Sequence, residues 1–320
     1  MIKLKKMGSF HVGGYEIEVR DAPIEYREFT PGAKPLEVNP NGYHHVNQIY
    51  IQYYIPYKIK SVYPLVLIHG GGMTGVAYET TPDNREGWLN FFIKEGWAVY
   101  NTDGVGRGRS GWNGYAAASK KDPVFLPKHD PFERFRIGKG RGSYCKNDIR
   151  KDLLPGNQFP VNHYNQFMKQ VVPRWIGNEE VTLSAYIELL KKTGPTVLLA
   201  HSQGCLFAMK LAESYPDLVK GVILIEPTIN QNFNNSRSLD STPILILYGD
   251  YITKDNRWFE HKKNTQNSLK DIELNNKNIE TILLPELNIY GNSHLPMMDK
   301  NSDEIAEVIQ EWLVSKKFMT

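Results

Sequence analysis

Two rhythms of hydrophobic spacing divide this chain. Tyr15 to Val19 alternates apolar with polar positions, and Val46 to Ile55 reads VNQIYIQYYI, rich in β-branched and aromatic residues; both predict β-strands. Further on the apolar runs become short and continuous: YPLVLIHG from Tyr63, AVYNTDG from Ala98, TVLLAHS from Thr196, GVILIEP from Gly221 and PILILYGD from Pro243. Such runs, ending in small or polar residues, predict buried parallel strands with polar groups at their carboxyl ends. Helical spacing lies between them. From Thr182 to Pro195, Leu183, Tyr186, Ile187 and Leu190 fall on one predicted face, with Gly194 and Pro195 as a stop. After Asn301, Ile305, Val308, Ile309, Trp312 and Leu313 recur at helical spacing, with Glu304 placed as a capping-box partner.

Alternating strands and helices predict an α/β fold, a mostly parallel, doubly wound central sheet flanked by helices that binds ligands beyond the strand carboxyl ends. Arg107 to about Glu180 breaks the alternation, with abundant Gly, Pro and aromatic residues and no buried-strand pattern. A connection that long inside one domain is usually functional. It is read as a cap inserted at about 107–180 in a single domain spanning 1–320, its aromatics forming a small core of their own.

Composition narrows the classes. Hydrophobic residues at 41% and charged ones at 23% belong to a globular chain, and 38 basic against 35 acidic residues give a net charge of +3, too small a field to favour nucleic acid or membrane partners. Between Arg107 and Lys151, however, twelve Lys or Arg face four Asp or Glu. This excess reads first as the solvated surface of the insertion and second as a site for anionic substrates. Cys145 and Cys205 make no disulfide framework, and no Cys/His cluster has zinc spacing, so free thiols and no metal or other cofactor are expected. No apolar stretch follows the first lysines and no run reaches membrane-span length, which points to the cytoplasm; an already processed, exported chain would look the same.

The chemistry concentrates at LLAHSQGCLFAMKLAESYP. Ser202 stands between a buried strand and an amphipathic helix with Ala200 and Gly204 two positions to either side, the setting of a nucleophile elbow. Ala200 replaces the usual first glycine, and a methyl is the smallest addition. A serine hydroxyl needs a base, and the base an orienting acid. His294, in YGNSHLPMMDK, lies after the last strand-like run and before the terminal helix, where a base would be delivered. His69 and His201 end strands and are read as holding loops, and adjacent His44 and His45 as structural. Glu226 and Asp250 end successive strands and both satisfy the order serine, acid, histidine; the commonest placement favours Asp250. Oxyanion donors are expected from the Gln203 amide and from His69-Gly70-Gly71-Gly72, with Gly71 first and Gly72 as the alternative. That run and GVGRGRSG, from Gly104, lack Walker-A spacing and the setting of a dinucleotide fingerprint.

The chain resembles the bacterial (Alcaligenes) esterase 713 family of the α/β-hydrolase superfamily. The resemblance rests on GSFHVGG, VNQIYIQYYIP, HGGGMTGVAYETTPDNREGW, DGVGRGRSGW, AHSQG, IEP and NSH, spread over most of the chain. It implies a carboxylesterase of α/β-hydrolase fold whose acid maps onto Glu226 rather than Asp250 and whose oxyanion donors map onto Gly71 and Gln203. Relatives carry cysteines where Gly71 and Gly72 stand, so no thiol acts here while the backbone donor stays available. Relatives also include exported and dimeric proteins, which leaves export and a homodimer open. The resulting expectation is a serine hydrolase of small or medium acyl esters, acting on a small molecule without a cofactor. An acyltransferase or lactonase with the same triad, or a non-catalytic binding protein on this scaffold, are its rivals.

Overall fold

In the computed structural model, which describes residues 2–116, 123–233 and 236–320, the continuous apolar runs become the interior of one eight-stranded sheet. Its strands are β1 (Leu4–Val19), β4 (Gly42–Pro56), β5 (Leu65–Ile68), β6 (Val99–Asp103), β7 (Thr196–His201), β8 (Val219–Ile225), β9 (Ile244–Tyr248) and β10 (Ile279–Leu283); a separate exposed hairpin pairs β2 (Glu25–Arg27) with β3 (Leu36–Val38). The order is β1-β4-β6-β5-β7-β8-β9-β10. β1 and β4 pair antiparallel, as do β4 and β6, and every later pairing is parallel.

Every residue of β5, β7 and β9 is buried, because helices cover both faces of the parallel part. Each fully buried Leu, Ile or Val there contributes about 1.5–3 kcal/mol. The helices are α1 (Trp88–Glu95), α2 (His129–Arg134), α3 (Tyr164–Gln170), α4 (Glu179–Thr193), α5 (Gly204–Ser214), α6 (Asn256–Asn275) and α7 (Ser302–Ser315). The strand order reverses direction at β5, whose parallel neighbours β6 and β7 lie on opposite sides of it. The crevice beyond β5 and β7 is thus the switch point at which such sheets bind ligands.

Two expectations need correction. The buried face of α4 is Thr182, Ala185, Tyr186, Leu189 and Leu190, with Leu183 and Ile187 only half-buried. The cause is the close crossing of α4 over β1: a Cβ on Gly13, at φ +67°, would lie 2.6 Å from the Ala185 Cα, so the small residue takes the contact. Nor does Asn301 cap α7 through its side chain. Its Oδ1 instead accepts from Asn292 Nδ2 at 2.7 Å, tying the helix start to the loop that carries His294.

The connection between β6 and α4 carries only the short α2 and α3 besides single-turn pieces, and 117–122 of it lie outside the described residues. Phe132, Phe159, Tyr164 and Phe167 are buried within it, edge-to-face or tilted at 5.4–6.2 Å. Phe125 is exposed, and Trp112 stacks on Trp175 at 5.2 Å. Phe135 leaves the cluster for the imidazole of His294.

Candidate active site

Ser202 sits where β7 must turn abruptly into α5. The turn forces φ of +51° on it, a left-handed conformation costing a non-glycine residue about 1–2 kcal/mol. Hydrogen bonds hold that strain: the Ser202 amide donates to the Ile225 carbonyl at 2.9 Å, and the Cys205 amide to the Ser202 carbonyl at 3.1 Å. Gly204 lets α5 pass under β5, since a Cβ there would stand 2.7 Å from the His69 carbonyl oxygen. At Ala200, which is fully buried, the methyl is accommodated within the strand.

The three side chains ordered by sequence meet. His294 Nε2 lies 3.0 Å from Ser202 Oγ, and its Nδ1 lies 3.2 Å from Glu226 Oε2. With Nδ1–H donating to the carboxylate, Nε2 is free to accept from the hydroxyl. Glu226 is itself held in a left-handed conformation, φ +52°, by its amide donating to Leu247 O at 2.8 Å. Its Oε1 accepts from the Gly249 amide and from Arg136 Nη2 at 2.7 Å. Asp250 does not reach the imidazole. Its Oδ1 accepts from the Tyr251 amide at 2.6 Å and its Oδ2 from the Gly291 amide at 3.1 Å, so it anchors the loop leading to His294.

His294 is enclosed. Trp258 from α6 lies over its ring at 3.9 Å between centroids, with Phe135 at 5.0 Å and His201 at 4.8 Å. Burial, then the Arg136 cation, holds its pKa well below the ordinary value, keeping the imidazole neutral at physiological pH. Its amide donates to the Phe135 carbonyl at 2.9 Å and its carbonyl accepts from His201 Nε2 at 2.8 Å. His201 is pushed down to about 3, by burial and then by His294. His69, lowered to about 4 by burial and then by Arg107, accepts the Gly104 amide on Nε2 at 2.9 Å. Both histidines hold loops, as their positions suggested.

Across the cavity, Gly71 and Gln203 flank Ser202, and among the described residues neither backbone amide has a backbone or side-chain acceptor. Gly72, at φ +71°, faces Leu126 instead. Arg107 was not foreseen and fixes this side of the site: its Nη1 donates to Gly70 O at 3.0 Å and its Nη2 to Gln203 Oε1 at 3.1 Å. It is lowered to about 10 by burial and then by Arg174, and so stays charged at neutral pH. In GVGRGRSG, Gly108 packs against a carboxylate of this chain, where a Cβ would lie 2.6 Å from Asp103 Oδ2. Asp103 accepts from the amides of Gly75 and Arg109 and from Arg109 Nε, donors that offset its burial and hold its carboxyl below the usual range.

The cavity over Ser202 has a volume of about 330 Å³. Arg136 and Trp258 were also missed: one lies in the stretch without periodicity, the other in a helix with no pattern tied to the site. No group of His, Cys, Asp or Glu suited to a metal occurs among the described residues, where Cys145 and Cys205 are free thiols.

A buried, mostly parallel sheet that brings serine, carboxylate and histidine together from the connections after β7, β8 and β10 defines an α/β-hydrolase. Residues 63–251 match the alpha/beta hydrolase fold family, and the chain belongs to that family. A fungal protein (Fungal sp., strain ATCC 74256) named probable secreted lipase phiG is 26% identical over 321 residues, covering 83% of this chain and 85% of its own. A solved structure described as a novel bacterial esterase superposes with a TM-score of 0.83 at 29% identity, over 99% of this chain and 97% of that one. Family and relatives together define an enzyme of the esterase/lipase type. No helix of the described residues is long and apolar enough to cross a membrane. The fungal relative is named as a secreted protein, so the cytoplasmic expectation gains no support from it.

Proposed function

We propose that this esterase/lipase-type hydrolase cleaves carboxylic esters of small or medium acyl groups through an acyl-enzyme. The observation that carries this reading is the contact of His294 Nε2 with Ser202 Oγ at 3.0 Å, continued from Nδ1 to Glu226 at 3.2 Å. Neutral His294 takes the hydroxyl proton as Ser202 Oγ attacks the ester carbonyl, and Glu226 stabilises the resulting imidazolium. The amides of Gly71 and Gln203 receive the oxyanion, and His294 returns the proton to the departing alkoxide. Water, deprotonated by the same imidazole, then attacks the acyl carbon and releases Ser202 and the acid. A volume of about 330 Å³ is at the small end for ligand cavities and suits short acyl groups, with the segment between β6 and α4 as the cap above them.

A non-catalytic binding module would gain nothing from a strained Ser202 aimed at a neutral imidazole. Hydrolysis of 4-nitrophenyl esters from acetate to palmitate, with fluorophosphonate labelling located by mass spectrometry, tests the reading. Turnover is expected to peak at short chains and to fall at least about a thousandfold in Ser202→Ala. Undiminished turnover in that variant, or labelling elsewhere than Ser202, would refute it.

A further inference from the structure

The catalytic cavity is lined with more positive charge than ester cleavage needs. Arg134 and Arg174 from the segment after β6 and Arg257 from α6 line it beside His261, whose pKa burial and then Arg257 lower, and no Asp or Glu does. Compensation is partial. Asp130 pairs with Arg134, whereas the guanidinium groups of Arg174 and Arg257 have no hydrogen bond or ion pair among the described residues. The place of Arg174 is telling: a Cβ on Gly71 would lie 3.3 Å from its Nε and 3.4 Å from its Cζ, so this cation stands against the loop beside Ser202. Arg134 and Arg257 also line a second cleft, of about 570 Å³, where Lys139, Arg141 and Lys254 stand with the acids Asp130, Glu133 and Asp255. The acids thus lie in that second cleft and not in the cavity over Ser202.

These cations oppose one another. After burial, Arg257 and Arg174 are what lower the pKa of Arg134. Half-buried Arg174 and exposed Arg257 stand at one cavity without a counter-charge of their own, and a planar guanidinium matches a carboxylate with two parallel hydrogen bonds. Resting on the ester-hydrolase reading above, we propose that the substrate is an ester bearing a second, ionised carboxylate, and that Arg174 and Arg257 hold that group while Ser202 attacks the ester. Of the twelve cations between Arg107 and Lys151 only Arg134 lines this cavity, so the proposed anion ligands lie outside that basic stretch.

The test uses matched pairs. Mono-4-nitrophenyl adipate is compared with the 4-nitrophenyl ester of monomethyl adipate for a carboxylate on the acyl side, and 4-acetoxybenzoate with 4-acetoxybenzamide for one on the alcohol side. In at least one pair the carboxylated member is expected to have a kcat/KM about tenfold higher or more, mainly through KM, with the advantage shrinking as salt rises. Arg174→Gln and Arg257→Gln should each cut that ratio severalfold, and Arg174→Lys should retain part of it. Equal rates within each pair, or a preference untouched by both glutamine variants, would overturn the inference and leave ester hydrolysis standing. Calorimetry of Ser202→Ala with monomethyl adipate gives a readout without turnover, and binding should be lost on adding Arg174→Gln. Such binding in a protein that cleaves none of the four esters would sink the ester reading and keep the anion site; neither binding nor cleavage would sink both.

Discussion

Removing Arg136 would bear on the proposed triad without touching the reacting atoms. It and Glu226 are each about 1% exposed, joined at 2.7 Å from Nη2 to Oε1, and Arg136 Nε also donates to the Asp250 carbonyl at 2.9 Å. Its guanidinium lies over Trp258 at 4.9 Å, the ring that covers His294. In Arg136→Gln the Glu226 carboxylate keeps the Gly249 amide and the imidazole but loses its cation. Breaking a buried pair from one side costs about 3–5 kcal/mol. With roughly 2–4 °C of melting temperature per kcal/mol in domains somewhat smaller than this one, a drop of about 10 °C is expected.

The kinetic consequence has a definite sign. A cation against an imidazole disfavours the imidazolium, so its loss raises the pKa of His294; an unshielded Glu226 pushes the same way. The acid limb of kcat/KM for a neutral ester should move to higher pH by about one unit or more, equivalent to about 1.4 kcal/mol per unit. Calorimetric melting and a pH–rate profile read the two effects separately. In a Glu226→Gln background the same Arg136→Gln change should cost much less, because no lone carboxylate is left behind. A melting temperature within about 2 °C of wild type together with an unmoved acid limb would refute the reasoning.

Glu226→Gln should lower kcat by about three to four orders of magnitude, whereas Asp250→Asn, which loosens the loop near Gly291, should act chiefly on stability; the reverse ranking in steady-state kinetics would reassign the acid. Gly204→Ala puts a Cβ 2.7 Å from the His69 carbonyl oxygen and should lower the urea midpoint by the equivalent of about 1–3 kcal/mol or more, while Ala200→Gly should cost only about 0.5–1 kcal/mol. Acid should unfold the protein early. His69 and His201 have folded pKa values of about 4 and about 3, so the unfolded chain binds their protons first as pH falls below 6.5, and each removes up to about 1.4 kcal/mol per pH unit until its folded value is reached. Asp299, raised by burial to about 7, acts in the opposite direction between 7 and 3.8 but is a single group. Urea titrations showing level stability from pH 6.5 to 4.5 would contradict this balance.

The parallel strands were legible because burial on both faces writes an uninterrupted apolar run, as at TVLLAH and ILILY. Their order and carboxyl ends then placed Ser202, His294 and two candidate acids, Glu226 and Asp250, without any knowledge of side-chain contact, and only the family resemblance favoured Glu226. The choice between Glu226 and Asp250 was not legible from spacing, since both end strands. It turns on a backbone feature, the left-handed Glu226 that points its carboxylate toward the imidazole while Asp250 is taken up by two amides. The α4 face was misjudged because the contact that sets it, Ala185 against Gly13, joins positions far apart in the chain. Arg107 and Arg136 stayed hidden for a related reason: a charged side chain carries no periodic signal of its own burial, and both stood among twelve cations whose excess reads first as solvated surface.

That hidden set ties specificity to geometry. The segment after β6 supplies the Phe135 carbonyl that holds the His294 amide, the Arg136 cation that holds Glu226, and Arg174 against Gly71. The proposed base, the proposed acid and one of the two proposed anion ligands therefore hang on one stretch of chain. A carboxylate bound by Arg174 would relieve repulsion acting on Arg107 and Arg134, two cations that respectively clamp Gln203 and add to the field lowering the pKa of His294. Reducing that field favours the imidazolium formed as Ser202 attacks, so a charged substrate would do more than bind tightly: it would ease the proton transfer on which its own cleavage depends.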